Sequence, residues 1–80
     1  MTNLAHISSV SLLKVIQLMD SPLKTKLMEM GLLEGQEIKW LFQAPFGGPI
    51  AIQIQDYILS LRKDEASFVQ VEPVLNRDNS

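Results

Sequence analysis

The 80-residue chain contains no cysteine and a single histidine, His6. Without cysteine it can form neither a disulfide nor a thiolate metal site. A metal centre needs several converging ligands, and a Ser-His-Asp or Cys-His set needs a base beside its nucleophile. The carboxylates also lack the spacing of a cation-binding loop. We therefore expect no catalytic residue, no cofactor and no metal site, and a binding module rather than an enzyme.

The chain also lacks an excess of basic residues and any long apolar run. Its 7 Lys and Arg are outnumbered by 9 Asp and Glu, which gives a net charge of −2 and a pI of about 5.2. The basic surface of a nucleic-acid-binding protein is therefore missing. No apolar stretch approaches the roughly 20 residues that cross a bilayer, and no signal peptide is visible. These features predict a single cytoplasmic domain without a nucleic-acid partner.

The stretch from Leu27 to Ile38 predicts the end of a helix, a tight turn and the start of a strand. Gly31 suits the left-handed residue that ends a helix, and Leu32 would then pack back onto Leu27. Gly35 suits the third position of a type II turn. From Ile38 onward, apolar residues recur with the two-residue period of a strand.

Alternating apolar residues between clusters of Gly, Pro and Asp predict a mainly β chain. Ser21 and Pro22 mark the start of a helix that we expect at residues 22–30. Five short strands with one helix between the first and the second predict a small, strongly bent barrel. The strands are expected at residues 10–19, 37–43, 50–55, 57–61 and 68–72.

The barrel domain is expected to span residues 10–72. Residues 1–9 are small and polar apart from Leu4 and Ile7, which predicts an N-terminal arm that these two side chains pin to the body. Residues 73–80 have little to bury and are expected to form a disordered tail.

The strand phases also predict which side chains are buried. Trp40 shares its phase with Ile38 and Ile52, so we expect it in the core. Leu59 and Val71 are expected beside it. The charged side chains of the helix, including Lys26, and the adjacent pair Asp64-Glu65 are expected in solvent.

Residues 44–49, with the sequence APFGGP, contain two prolines and two glycines and predict a shaped loop. Phe46 lies at its tip. A large aromatic side chain there either folds back onto the core or forms an exposed anchor for a partner. The sequence leaves both interpretations open.

Three blocks of this sequence resemble, in their order and spacing, the FeoA family (ferrous iron transport protein A). LMEMGLLEGQEI at residues 27–38 resembles its R-L-x-x-M-G-L-x-x-G-x-x-V signature, with Lys26 in place of the arginine. APFGGPI at residues 44–50 resembles its A-P-x-G-D-P-I loop, with Gly48 in place of the aspartate. LRKDEA at residues 61–66 resembles its L-R-x-x-E-A corner.

The resemblance implies an SH3-like five-stranded barrel over residues 10–72 and a non-catalytic cytosolic protein of ferrous iron uptake. The implied partner is FeoB, the membrane ferrous iron transporter with a G-protein domain, which the chain would bind and regulate or scaffold. It would reach the membrane only through that partner. We expect Leu33, Phe46 and Arg62 to contact it. Weak self-association stays open.

Two other classes of protein share this general shape. One is the SH3-like module associated with metal-dependent repressors, and the other is a protein-interaction or RNA-binding barrel. The acidic pI disfavours RNA. Small barrels host many functions, so the fold alone does not choose between these alternatives.

Overall fold

The computed structural model describes residues 2–74 and shows the expected mainly β fold. A short helix follows the first long strand, as predicted, but residues 2–74 form six strands because a two-residue strand is added near the N-terminus. The elements are β1 (Thr2–Asn3), a 3-10 helix (Leu4–His6), β2 (Ser11–Leu18), α1 (Lys24–Glu29), β3 (Glu37–Gln43), β4 (Ile50–Ile54), β5 (Tyr57–Leu61), α2 (Lys63–Ala66) and β6 (Val69–Pro73).

All strand pairs are antiparallel, and the sheet order is β1-β6-β2-β3-β4-β5. The register shifts between Val15 and Gln17 in the β2·β6 pair, and between Trp40 and Phe42 in the β3·β4 pair. Such bulges increase the local bend and twist of a sheet. They let a six-stranded sheet curl around one small core.

The inner face of this curled sheet carries the core. Trp40 is 6% exposed and lies among fully buried aliphatic side chains, so the prediction that it is buried with Ile38, Ile52 and Val71 is confirmed. Leu59 is only partly buried at the margin of the core. The buried apolar residues are Leu4, Leu13, Val15, Leu18, Leu27, Leu32, Ile38, Trp40, Ile50, Ala51, Ile52, Ile54, Leu61, Ala66, Val69 and Val71.

Both ends of the described chain are more ordered than the sequence predicted. The arm expected at residues 1–9 contributes a strand, because Thr2 and Asn3 pair with β6, and Leu4 is completely buried. Pro73, where the tail was expected to start, belongs to β6, and the next N–H, of Val74, donates to the carbonyl of Leu12. The rest of the predicted tail, residues 75–80, lies outside the described residues.

The corner between α1 and β3 has the predicted geometry. Gly31 has φ +103°, and the N–H of Leu32 donates to the carbonyl of Leu27 at 3.1 Å. The N–H of Gly31 donates to the carbonyl of Met28, which completes the bond pair of a Schellman ending. Gly35 has φ +88° and closes the following turn. This corner fixes how the helix lies on the sheet.

Candidate functional site

The loop between β3 and β4 carries the most exposed large hydrophobic side chain of the described residues. Phe46 is 105% exposed relative to its reference, so it does not fold back onto the core. Its backbone has φ +62°, and Gly47 follows with φ +71°. A left-handed conformation is unusual for a bulky residue and costs on the order of 1–2 kcal/mol. The rest of the loop must therefore hold this conformation.

Hydrogen bonds inside the loop supply that constraint. The N–H of Ala44 donates to the carbonyl of Pro49 at 2.9 Å, which closes the loop at its base. The Gly48 N–H donates to the carbonyls of Ala44 and Pro45, both at 3.2 Å. From β3, the Gln43 side chain donates to the Gly48 carbonyl at 3.0 Å. These bonds close the loop on itself and leave the Phe46 ring in solvent.

Gly48 is the loop residue at which this chain departs from the resembled family pattern. A Cβ atom at this position would lie 2.8 Å from the Cβ of Ala44 and 3.2 Å from the carbonyl oxygen of Pro45. An aspartate could enter only if Ala44 or the backbone beside it shifted. The glycine is therefore part of the tight packing that shapes the loop.

Strand register brings Arg62 to the same end of the sheet as the loop. Ile50, the first residue of β4, pairs with Leu61, the last residue of β5. Arg62 comes directly after Leu61, and the loop comes directly before Ile50. A shallow groove of about 400 Å³ separates the two and is lined by Gly47, Gly48, Pro49, Arg62, Lys63 and Asp64. We call the loop 44–49 together with residues 62–64 the loop–corner surface.

Glu65 positions the corner that bears Arg62. The expectation that Glu65 lies in solvent is wrong, because it is only 7% exposed. Its carboxylate accepts from the Arg62 N–H at 2.8 Å and from the Lys26 ammonium group at 3.2 Å. The Arg62 N–H bond is the largest cause that lowers the Glu65 pKa, burial opposes it, and Lys26 lowers it further.

Sequence reasoning missed this contact for a local and a non-local reason. A glutamate at the third position of a helix often accepts from the N-cap N–H, but the usual signal is a Ser or Thr cap, and here the cap is Arg62. The partner Lys26 lies 39 residues away, on α1. The place of Glu65 three residues after Arg62 in LRKDEA was the one sequence feature that could have indicated this hydrogen bond. Its carboxylate links α2 to α1 through Lys26 and holds the Arg62 backbone at the start of α2.

The third predicted contact residue, Leu33, lies elsewhere. It precedes β3 whereas Phe46 follows it, so the length of a seven-residue strand, roughly 20 Å, separates them. Leu33 is 47% exposed and lines a smaller cavity of about 280 Å³ with Leu18, Lys24, Met28 and Glu34. The fold thus brings Phe46 and Arg62 to one surface and leaves Leu33 on another.

Between residues 2 and 74, no three His, Cys, Asp or Glu side chains are grouped so as to hold a metal ion. No helix in that part of the chain is long and apolar enough to cross a membrane.

Comparisons with known proteins agree with this architecture. The FeoA domain model matches residues 2–73. A FeoA-like protein from Clostridium acetobutylicum, solved by NMR, has a TM-score of 0.85 and 38% identity, over 99% of this chain and 93% of that one. The manganese regulator SloR has a TM-score of 0.80 at 23% identity, over 91% of this chain and 34% of that one, which shows a shared fold alone.

A curated relative connects the domain to iron transport. The Fe(2+) transport protein A/Fe(2+) transporter FeoB fusion protein of Porphyromonas gingivalis is 32% identical over 57 residues. The match covers 71% of this chain but only 7% of that much longer protein. The family is generally a non-catalytic accessory domain linked to ferrous iron transport with FeoB. With its SH3-like sheet and a family match over nearly its whole length, the chain belongs to the FeoA family.

Proposed function

We propose that this chain is a non-catalytic accessory protein of ferrous iron uptake, and that its loop–corner surface docks on the cytosolic part of a FeoB-type transporter. The observation that carries the proposal is Phe46, a fully exposed aromatic side chain on a loop that is closed by its own hydrogen bonds. Exposed aromatics of this kind are typical anchors of protein interfaces.

The identity of the partner rests on the fused relative. In that protein an iron transport protein A segment and a FeoB segment belong to one polypeptide. Fusion keeps two interacting domains at high effective concentration. Because the chain matches only 7% of the fusion protein, we assign the transporter as a partner and not as an activity of this chain. We expect this contact on the cytosolic side of the membrane, where the transporter's G-protein domain would lie.

The loop is suited to binding because little of it has to be ordered. Pro45 and Pro49 restrict the backbone, and the bonds made by Ala44 and Gly48 close it before any partner arrives. A preorganised loop loses less conformational entropy on docking than a flexible one. A buried Phe side chain removes roughly 150–250 Å² from water, and truncating such an anchor typically costs 2 kcal/mol or more.

The corner supplies charge at the rim of this anchor. Arg62 and Lys63 are exposed and Asp64 lies beside them, so the groove carries one net positive charge. An arginine can hold a carboxylate or a phosphate through two parallel hydrogen bonds. We therefore expect an acidic patch on the transporter and an association rate that falls with added salt.

Leu33 remains a proposed second contact. It lies at the other end of β3, so a partner that touches both Leu33 and Phe46 must lie along the whole length of the strand. A partner that covers only the loop–corner surface would leave Leu33 free. Separate variants at the two positions therefore measure the extent of the interface.

The test compares single exposed residues. Phe46→Ser and Arg62→Ala should each reduce co-purification with the transporter at least tenfold and reduce ferrous iron uptake in cells lacking the native chain. Leu12→Ser is the matched control, since Leu12 is 48% exposed on β2 and lies outside the surface. Leu33→Ser reports on the second contact. Each variant is first shown to be folded by its thermal transition.

The results test two hypotheses separately: which surface of the chain docks, and whether the transporter is the partner. Full binding and uptake by folded Phe46→Ser and Arg62→Ala proteins would refute the loop–corner surface as the docking site. Loss of binding with Leu12→Ser alone would move the contact to the outer face of the sheet. Absence of any co-purification by the unaltered chain would refute the transporter as partner.

A further inference from the structure

The open sheet has two edges, and they are protected very differently. At one edge lies β1, which is only two residues long. At the other lies β5, which is five residues long, has the sequence YILSL and pairs with β4 without a bulge. Natural proteins usually protect an edge with charges, prolines, bulges or a very short strand. β5 has none of these features.

The register shows which backbone groups of β5 face the free edge. β4 and β5 are joined by a two-residue turn that closes on the Ile54–Tyr57 pair. In such a hairpin the closing pair is hydrogen-bonded, and bonded pairs then alternate along the strands. Tyr57, Leu59 and Leu61 therefore bond to β4. The N–H and C=O groups of Ile58 and Ser60 point away from the sheet.

Solvent exposure agrees with a free edge. Ile58 is 66% exposed, Tyr57 is 42% exposed, and Ser60 is exposed as well. Within the described part of the chain, β5 is paired only with β4. In that same range, its backbone makes no hydrogen bond to a turn or loop. An uncharged strand with free donors and acceptors is a template for a further strand.

We propose that the free edge of β5 pairs with β5 of a second copy of this chain, antiparallel, about a twofold axis through Leu59. Ile58 of each copy then lies opposite Ser60 of the other, and these pairs exchange four backbone hydrogen bonds. The two Leu59 residues face each other at the axis as a non-bonded pair. The two sheets join into one continuous sheet, and the contact is closed because each copy presents the same surface.

Charge complementarity selects this second copy and this register. When Leu59 lies on the axis, Asp56 of one copy is opposite Arg62 of the other, and the arrangement occurs twice. Neither residue belongs to a salt bridge within residues 2–74. The backbone ladder ends at this pair, because the Arg62 N–H already donates to Glu65. Moving the twofold axis from Leu59 to Ile58 or to Ser60 would remove both Asp56–Arg62 pairs.

The size of the contact sets its strength. A five-residue strand edge gives an interface at the low end of the range for specific complexes, so the dimer should dissociate on dilution. It should also weaken with salt, since its charge pairs are exposed. This inference does not rest on the proposed function. Arg62 also borders the loop–corner surface, so the test uses the purified chain with no transporter present.

A cysteine cross-link tests the axis. The native chain has no cysteine, so Leu59→Cys introduces a single thiol. Cα atoms of a non-bonded antiparallel pair are about 4.5 Å apart, within the range of a disulfide. Ser60→Cys is the matched control: it is more exposed, but its copies would lie about 8–9 Å apart across the axis, beyond disulfide reach. Under mild oxidation, Leu59→Cys should form a covalent dimer and Ser60→Cys should not.

Charge reversal tests the register without touching the core. Asp56→Arg and Arg62→Asp each turn two attractive pairs into two repulsive ones, and should raise the dimer dissociation constant at least tenfold in sedimentation equilibrium. The double variant restores opposite charges across the axis and should recover most of the affinity. These surface variants keep the test informative if Leu59→Cys fails to fold.

Each result either supports or overturns the proposal. Cross-linking at position 59 alone, with rescue by the double charge reversal, supports it. A chain that stays monomeric at its highest soluble concentration overturns it. So does a dimer that ignores both reversals, or one in which Ser60→Cys cross-links as fast as Leu59→Cys.

Discussion

Replacing Gly31 by alanine tests the corner on which the sheet and the helix are joined. Gly31 has φ +103°, and a Cβ atom built on it would overlap the Tyr57 hydroxyl oxygen. That hydroxyl donates to the carbonyl of Met30, the C-cap residue of α1, at 2.8 Å. A methyl group at position 31 must therefore strain the backbone and displace the hydrogen-bonded tyrosine.

The expected loss of stability is the sum of these two effects. An L-residue in the left-handed region costs on the order of 1–2 kcal/mol, and loss of the tyrosine hydrogen bond costs about 0.5–1.5 kcal/mol. We expect Gly31→Ala to lower the free energy of unfolding by about 1.5–3.5 kcal/mol. For a domain of this size each kcal/mol lowers the melting temperature by roughly 4–8 °C.

Tyr57→Phe separates the two effects in a double-mutant cycle. Without the hydroxyl there is nothing to displace, so Gly31→Ala should cost only about 1–2 kcal/mol in that background, leaving a coupling energy of about 1 kcal/mol. Urea unfolding of the four proteins measures all the terms. Equal costs in both backgrounds would show that the hydroxyl does not contact position 31. A cost below about 0.5 kcal/mol in either would contradict the positive φ.

Two further predictions concern the core and the buried carboxylate. Trp40→Ala should lower the free energy of unfolding by about 3–5 kcal/mol, and the native fluorescence maximum should be that of a buried indole; an emission typical of exposed tryptophan would contradict its place in the core. Glu65→Gln should cost about 1 kcal/mol at neutral pH. Because the folded pKa of Glu65 lies below the usual value of a glutamate, this difference in stability is present above the usual pKa and disappears as the pH falls through the folded pKa. If the difference in unfolding free energy between the native chain and Glu65→Gln persisted in acid, the charge of Glu65 would not be its cause.

Half of the candidate site could be inferred from the sequence. Two prolines and two glycines predict that residues 44–49 form a shaped loop, and the structure has a loop closed by its own bonds. The sequence did not decide whether Phe46 points inward or outward, because that depends on where the core lies relative to the loop. Arg62 lies on the same surface as Phe46 only because Ile50 pairs with Leu61. Leu33 lies at the other end of β3 and is not part of that surface.

The sequence by itself determined the local structure. Strands at 37–43 and 57–61 have the predicted bounds, since alternation and flanking turn residues act within a few positions. The helix ending at Gly31 is likewise local, because only glycine adopts that conformation without strain. The left-handed residue of the β4–β5 turn is Gln55, although Gly, Asn and Asp adopt that conformation more readily, so residue preferences alone do not fix the conformation of a turn.

Only the tertiary structure decided which distant residues meet. Thr2 and Asn3 become a strand because β6 offers them an edge, and a two-residue strand has no stability apart from that partner. Glu65 is buried because α1 brings Lys26 to it across 39 residues. Such contacts depend on the packing of the whole chain, and burial of a carboxylate is tolerated only where the fold supplies its hydrogen bonds and its counter-charge.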